Sequence, residues 1–591
     1  MAIALACLTA LSGYLRLRNI DNPRTPIFDE SYAGVIVNNY RLGKDHFFDL
    51  HPPFSRLLQY FIGVFCLQAP ECAYSKDMHF VECDMWQMRL LPCILGTLLV
   101  PLTYATLRLH RASQAGALFG AFLVASDNMF FTLSRIHLMD MITMFSIATV
   151  AYFHERFLRS FDRVMGLWLP NDIMVEQREP NRDQSLSMAM AEALLWVCCC
   201  GACLGCAVSS KFGVAGATAI WCVVSNGAIF WRWWRLCNRS ASCDSAESEK
   251  RETRDNSGSE SRDTQHRCRG FYRSFLGLFI ALTSLLAIVA FSVYFAFLVC
   301  HFSFIPWKDA ETGSYASYAL TKKRISAEPF SLIDRLFESF LLRYVNFSGE
   351  NPHSWCKIVE YTIEQYYYYV LLDNYELEVP RLPNSHHSHS QWTMWLLAYR
   401  GLMHALFPRH NTGEIGASAI LFLPNVISCW LTTVCTYIAS LIYFVRRLRR
   451  TKSAMPHKDR GLENFLVAYF LHLLPFLSVH RELFIIYYTF AYYFGLLFTA
   501  LLLDRIATPL RSTVMSFIVA ICSASFLYMW PLSTGEITSV GYLDRMAMVQ
   551  PSCWYGRCFN APDGSPLASL YSTLGSDRAL FPFLVNGTLG F

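Results

Sequence analysis

Eleven apolar segments, most near the length of one bilayer crossing, decide what this chain can become. They fall at 1–17, 87–107, 114–133, 137–154, 190–208, 212–231, 274–303, 417–445, 463–479, 483–503 and 511–531. A lipid core accepts backbone only where its polar groups are bonded within the segment, so runs of about 20 apolar residues read as membrane helices. Composition agrees: the 591 residues are 53% hydrophobic and 16% charged, against about 25% charged in soluble domains. A string of soluble domains is excluded, and the fold class expected is an all-α polytopic membrane protein. The formal net charge of +5 is small for so long a chain, and no nucleic-acid partner is expected.

The connections sort by their basic residues. One set holds Arg108-Leu109-His110-Arg111, His154 to Arg163, Arg232 to Arg273, Arg446 to Arg450, and Arg505 to Arg511. The other is 18–85, Ile136-His137, Ser209–Phe212, 304–416, Ser478–Glu482 and 532–591. The first set is cytosolic by the positive-inside rule, which puts 18–85 and the C-terminus on the far side. Arg16 and Arg18 run against that trend, and residues 1–17 are short for a span and also admit a signal-peptide reading. The sequons at Asn346 and Asn586 fall in far-side segments, whereas that at Asn238 is cytosolic. Residues 1–303 then form a first membrane module, with the segment 233–273 inside it expected to be a disordered cytosolic linker. A luminal loop, 304–416, separates it from four last spans at 417–531 and a luminal tail, 532–591.

The polar residues of the far side are unevenly placed. Asp29, Glu30, Asp45, His46, Asp49 and His51 crowd the stretch after the first apolar segment. Such a cluster reads either as a solvated loop or as general-base machinery, since paired carboxylates can take a proton from a hydroxyl. On the same face stand Arg89, Arg135 and Arg481. Arginine suits bidentate phosphate binding; taken singly, each also fits a helix anchor that snorkels to the interface. As a set, acids beside arginines at a lipid surface suit a phosphorylated lipid and an acceptor to be activated. The histidines His386, His387 and His389 lack acidic or cysteine partners nearby, and the cysteines around Cys200, Cys203 and Cys206 lie in an apolar run. No metal is expected. Cys72 with Cys83, and Cys553 with Cys558, face the oxidising side and could pair, although spacing does not establish it.

Ile27-Phe28-Asp29-Glu30, leading through Phe47-Phe48-Asp49-Leu50-His51-Pro52-Pro53 to Leu57-Leu58, resembles the first luminal loop of the protein O-mannosyltransferases. Later stretches resemble the family in the same order: Arg89-Leu90-Leu91-Pro92, Ser134-Arg135-Ile136-His137-Leu138-Met139-Asp140, Ser210-Lys211-Phe212, Trp392 to Gly401, Leu471 to Phe476 with Arg481 and Tyr488, and Phe526 to Leu532. The resemblance implies a GT-C glycosyltransferase with about 11 transmembrane helices in the endoplasmic reticulum membrane, N-terminus cytosolic and C-terminus luminal. It implies transfer of mannose from dolichyl phosphate mannose to Ser or Thr hydroxyls of an acceptor protein, by one inverting displacement. It makes Asp29 the catalytic base and sets Glu30 beside it to orient acceptor or sugar. Asp49 and His51 would shape the sugar site, and Arg89, Arg481 and Arg135 would face the phosphate. The lipid-linked donor is a substrate, no cofactor is implied, and pairing with the same or another family member is.

Three departures stand out, the first bearing on the acceptor. The family's long luminal loop carries three MIR repeats, whereas 304–416 is short and shows no threefold repeat, so that module is expected to be missing. The family's Gly-Lys after His-Pro-Pro reads Ser55-Arg56, and its His-His-Tyr in the tenth span reads Ile486-Tyr487-Tyr488. The alternatives are a GT-C enzyme that uses a polyprenyl-phosphate sugar on a lipid or glycan, and a non-catalytic membrane scaffold.

Overall fold

The structure, a computed structural model, describes residues 1–27, 29–42, 51–70, 84–168, 182–252, 260–304, 390–399, 401–411, 414–449, 460–477, 483–539 and 542. Helix α1 (Ala2–Leu17) leads through a loop to α2 (Glu30–Leu42) and to α3 (Phe54–Gln59), which continues as a π-turn to Cys66. Then come α4 (Trp86–Leu109), α5 (Gln114–Ala125), the short α6 (Asn128–Leu133), α7 (Met139–Trp168), α8 (Arg182–Val208), α9 (Phe212–Glu252) and α10 (Glu260–Phe304). The second part holds α11 (Trp392–Trp395), strands β1 (Leu402–Asn411) and β2 (Glu414–Phe422), α12 (Val426–Arg449), α13 (Arg460–Leu473), α14 (Tyr488–Leu503), α15 (Thr508–Thr534) and β3 (Ile537–Ser539). Among the described residues, six helical stretches are long and apolar enough to cross a membrane: five lie within α4, α8, α9, α10 and α15, and the sixth, Ile485–Leu503, is α14 with the turn before it. The expected polytopic helical architecture is present.

Three expectations need adjustment. The span drawn at 114–133 is broken, because Asp127 caps a new helix: its Oδ1 accepts from the Met129 and Phe130 amides at 2.9 and 3.2 Å. The span drawn from 417 begins as strand. Residues 402–411 and 414–422 pair antiparallel, β3 adds to the other edge of β2, and only after Pro424 does Asn425 start α12. A short apolar run does not distinguish a buried strand from a helix. The linker expected as disordered at 233–273 is helical over the parts described, to Glu252 and again from Glu260. Its Ala, Glu, Lys and Arg are strong helix formers and extend a membrane helix already nucleated.

Asp127 joins the two parts of the bundle. Its Oδ2 accepts from the Asn425 amide at 3.0 Å, the Tyr492 hydroxyl at 2.8 Å and Ser428 Oγ at 3.3 Å. Asn425 Nδ2 donates in turn to the carbonyls of Ser126 and Cys522. This one buried carboxylate thus gathers α6, α12 and α14, with α15 reached through Asn425. Arg16, which ran against the charge pattern, is fully buried. It donates to Ser134 Oγ at 3.0 Å and to Ser12, with its guanidinium over the Phe131 ring.

Candidate active site

The loop that delivers Asp29 is held by side chains reaching its carbonyls. Arg135 donates to the carbonyls of Arg16, Arg18 and Asn19 at 2.6–2.7 Å and so caps the C-terminal end of α1, where helix carbonyls lack partners. Asn22 Nδ2 donates to the carbonyls of Thr534 and Gly535, tying the loop to the end of α15. Arg89, from the first turn of α4, donates to the carbonyls of Ile20, Pro23 and Thr25 at 3.2, 2.9 and 3.1 Å.

Arg89 also forms a two-pronged ion pair with Glu30, Nε to Oε1 at 2.9 Å and Nη2 to Oε2 at 2.7 Å. Both residues are buried. A guanidinium has five N–H donors, and all five are spent here. Glu30 also accepts from the amides of Ile27 (2.9 Å) and His137 (2.7 Å). Glu30 and Arg89 therefore form a closed lock that fixes the start of α2. Arg89 and Arg135, expected to face a phosphate, are bonded here to loop carbonyls and, for Arg89, to Glu30; Arg135 also packs over Phe131. Glu30 is a positioning group in this arrangement. Asp49 and Arg481 lie outside the described residues; His51 is half-buried just before Pro52 and the start of α3.

Asp29 points the other way. By surface area it is exposed, yet its carboxyl group is crowded by surrounding protein. That poor solvation, followed by the charge of Asp140, pushes its pKa up to about 6, against the opposing pull of Arg56 and Lys211. These three residues lie within motifs of the sequence, with no role legible there. Asp140 opens α7 and pairs with Lys211 Nζ at 2.8 Å. Lys211 sits in the turn between α8 and α9, with Nζ 5.3 Å from the Tyr487 ring centroid. Arg56 is buried in α3, donates to Gln59 Oε1 at 3.2 Å and lies 5.7 Å from the Tyr32 ring centroid.

Two bonds hold these cations in one frame. The Phe54 amide donates to the Ser209 carbonyl at 2.9 Å, and Ser55 Oγ donates to Ser210 Oγ at 2.8 Å. The N-terminus of α3, which carries Arg56, is thereby fixed to the turn that carries Lys211. Among the described residues no three of His, Cys, Asp and Glu gather closely enough to hold a metal ion; Asp29 and Asp140 are matched to cations instead. A carboxylate of raised proton affinity beside two cations can take a proton while the cations receive an anion.

Comparison with known proteins gives a consistent result. The family model for dolichyl-phosphate-mannose-protein mannosyltransferase matches residues 6–305, and that for the C-terminal four-transmembrane region of protein O-mannosyltransferase matches 374–550. The chain is 33% identical over 165 residues to dolichyl-phosphate-mannose–protein mannosyltransferase 4 of Saccharomyces cerevisiae, covering 27% of this chain and 21% of that one. It is 32% identical over 180 residues to protein O-mannosyl-transferase 1 of Mus musculus, covering 28% and 23%. The matched stretches thus span less than a quarter of either relative's length. Among solved structures, the S. cerevisiae protein O-mannosyltransferase Pmt1-Pmt2 complex bound to the sugar donor matches with a TM-score of 0.65 at 16% identity, covering 92% of each chain. The GT-C fold expected from the sequence is therefore shared.

Proposed function

Because this chain belongs to the dolichyl-phosphate-mannose-protein mannosyltransferase family, we propose that it transfers mannose from dolichyl phosphate mannose to Ser or Thr hydroxyls of proteins in the lumen of the endoplasmic reticulum. In this reading the N-terminus is cytosolic and the C-terminus luminal, and the enzyme works with a second copy or another family member. The observation that carries the reading is Asp29: an accessible carboxylate of raised pKa, beside Arg56, Lys211 and Asp140.

The reaction is a single displacement at the anomeric carbon. The acceptor hydroxyl oxygen forms a bond to C1 as the C1–O bond to phosphate breaks, and the bonding pair leaves with the phosphate oxygen. The hydroxyl proton goes to Asp29. Arg56 and Lys211 meet the charge that grows on the departing phosphate, the stage at which fixed cations accelerate a reaction most. Asp140 keeps the Lys211 ammonium in place, and the Glu30–Arg89 lock sets the angle at which α2 presents Asp29. Asp49 and His51 are assigned to the sugar and Arg481 to the phosphate, as the motif resemblance implies.

The test is transfer of labelled mannose from dolichyl phosphate mannose to a Ser/Thr-rich peptide by the purified full-length protein. Wild type should transfer, and Asp29→Asn should fold normally and lose transfer by at least about a hundredfold, the usual scale of base catalysis. Full activity in that variant would remove Asp29 as the base. Transfer to lipid or glycan in place of peptide would move the chain to the alternative acceptor class.

A further inference from the structure

We propose that His137 is a further donor-binding residue, its imidazole hydrogen-bonding an oxygen of the phosphate that joins sugar to lipid. This rests on the donor assigned under the proposed function. His137 lies in the loop between α6 and α7, and its amide donates to Glu30 Oε1 at 2.7 Å. The residue is thereby locked to the turn that presents Asp29.

Its side chain is fully buried, and neither Nδ1 nor Nε2 has a hydrogen-bond partner. Among the described residues it is the one histidine with both ring nitrogens in that condition. Buried polar groups without partners destabilise a protein, and most are bonded. A leucine would fill similar space with no such penalty. An imidazole kept here carries a stability cost in the ligand-free protein, as binding sites commonly do.

The charges that act on the ring identify what it can bind. They are the guanidinium groups of Arg56 and Arg89. Arg89 has no donor left, whereas the charge of Arg56 acts on Asp29 as well. With Arg89 offset by Glu30, Arg56 is the cation that makes an anionic acceptor favourable for the imidazole N–H. A phosphate held by Arg56 supplies that acceptor.

The experiment pairs stability with lipid-phosphate affinity in the full-length protein, using dolichyl phosphate as the probe. His137→Leu should melt at or above the wild-type temperature, yet bind dolichyl phosphate about tenfold or more weakly, as expected for loss of a hydrogen bond to a charged group. His137→Gln, which keeps an N–H, should recover part of that affinity. Dolichyl phosphate affinity in His137→Leu within twofold of wild type overturns the proposal. So does a rise confined to the KM for dolichyl phosphate mannose, which would place the ring against the sugar. Should leucine not be accommodated, His137→Met serves with the same outcomes, since methionine adapts to irregular space and lacks the N–H. Failure of the wild-type protein itself to bind dolichyl phosphate would sink the donor assignment as well, which separates the two failures.

Discussion

Replacing Arg89 separates two readings of the site that the sequence leaves level. If Arg89 grips the donor phosphate, Arg89→Ala should raise the donor KM and leave the fold alone. The geometry predicts otherwise. Arg89 holds Glu30 through two bonds of 2.7–2.9 Å and three loop carbonyls at 2.9–3.2 Å, in a buried setting. Removing one partner of a buried pair leaves an uncompensated charge and costs about 3–5 kcal/mol. Each abandoned carbonyl adds about 1 kcal/mol more. Against a total stability of about 5–15 kcal/mol, that is a large fraction. The variant should therefore show a sharply lowered melting transition by fluorescence-detected size-exclusion chromatography, with kcat reduced because Asp29 is no longer held. Arg89→Lys keeps the charge but offers three donors to five acceptors and should fall between. Glu30→Ala combined with Arg89→Ala should be less damaging than the two single losses added, the mark of direct coupling. Wild-type thermal stability in Arg89→Ala, with only the donor KM raised, would refute the lock and restore Arg89 to the phosphate.

Other expectations follow from the same geometry. With Asp29 held near pH 6, transfer should rise through that pH and level off above it, and a flat profile from pH 5 to 8 would contradict its role as base. Stability should run the opposite way: the folded state binds the Asp29 proton more tightly than the unfolded state, whose value is about 3.9. That contribution is therefore present at low pH and lost as pH rises toward about 6. Asp29→Asn should accordingly be as stable as wild type at pH 7, or more so, in a thermal melt. Lys211→Met should raise the donor KM at least tenfold, and Asp140→Asn should do so to a smaller degree by loosening Lys211, both read from donor titrations. Asp127→Ala strips partners from the Asn425 amide and the Tyr492 hydroxyl, and should destabilise by several kcal/mol in denaturant or heat assays.

Membrane architecture was legible because its signal is local: each apolar run carries its own statement about lipid, and each basic loop its own about charge. The site was legible only in part. Asp29 stood out by motif, and in the structure the charges of Arg56 and Lys211 act on it. The arginines did not sort themselves, because an arginine's task is set by which acceptors the tertiary fold brings within reach. Arg89 and Arg135 meet carbonyls from 15–25 that the sequence places far from them. Arg56 and Lys211 became visible as partners of Asp29 only when Ser55 met Ser210 across the bundle. The strands at 402–422 were hidden for another reason. Gly416, Ala417, Ser418 and Ala419 are small, and small residues in an apolar run carry little periodicity.

The knot around Asp127 also bears on how such proteins diversify. Its members come from before and after the long 304–416 segment, and they close on each other directly. Side chains on either side of that segment thus clasp α6 to α12, α14 and α15 directly. Lengthening or shortening a connection outside such a clasp costs only loop-closure entropy, about 0.6 kcal/mol for each doubling. A change in the length of such a connection therefore leaves the Asp127 clasp, and the helix ends it gathers, where they are.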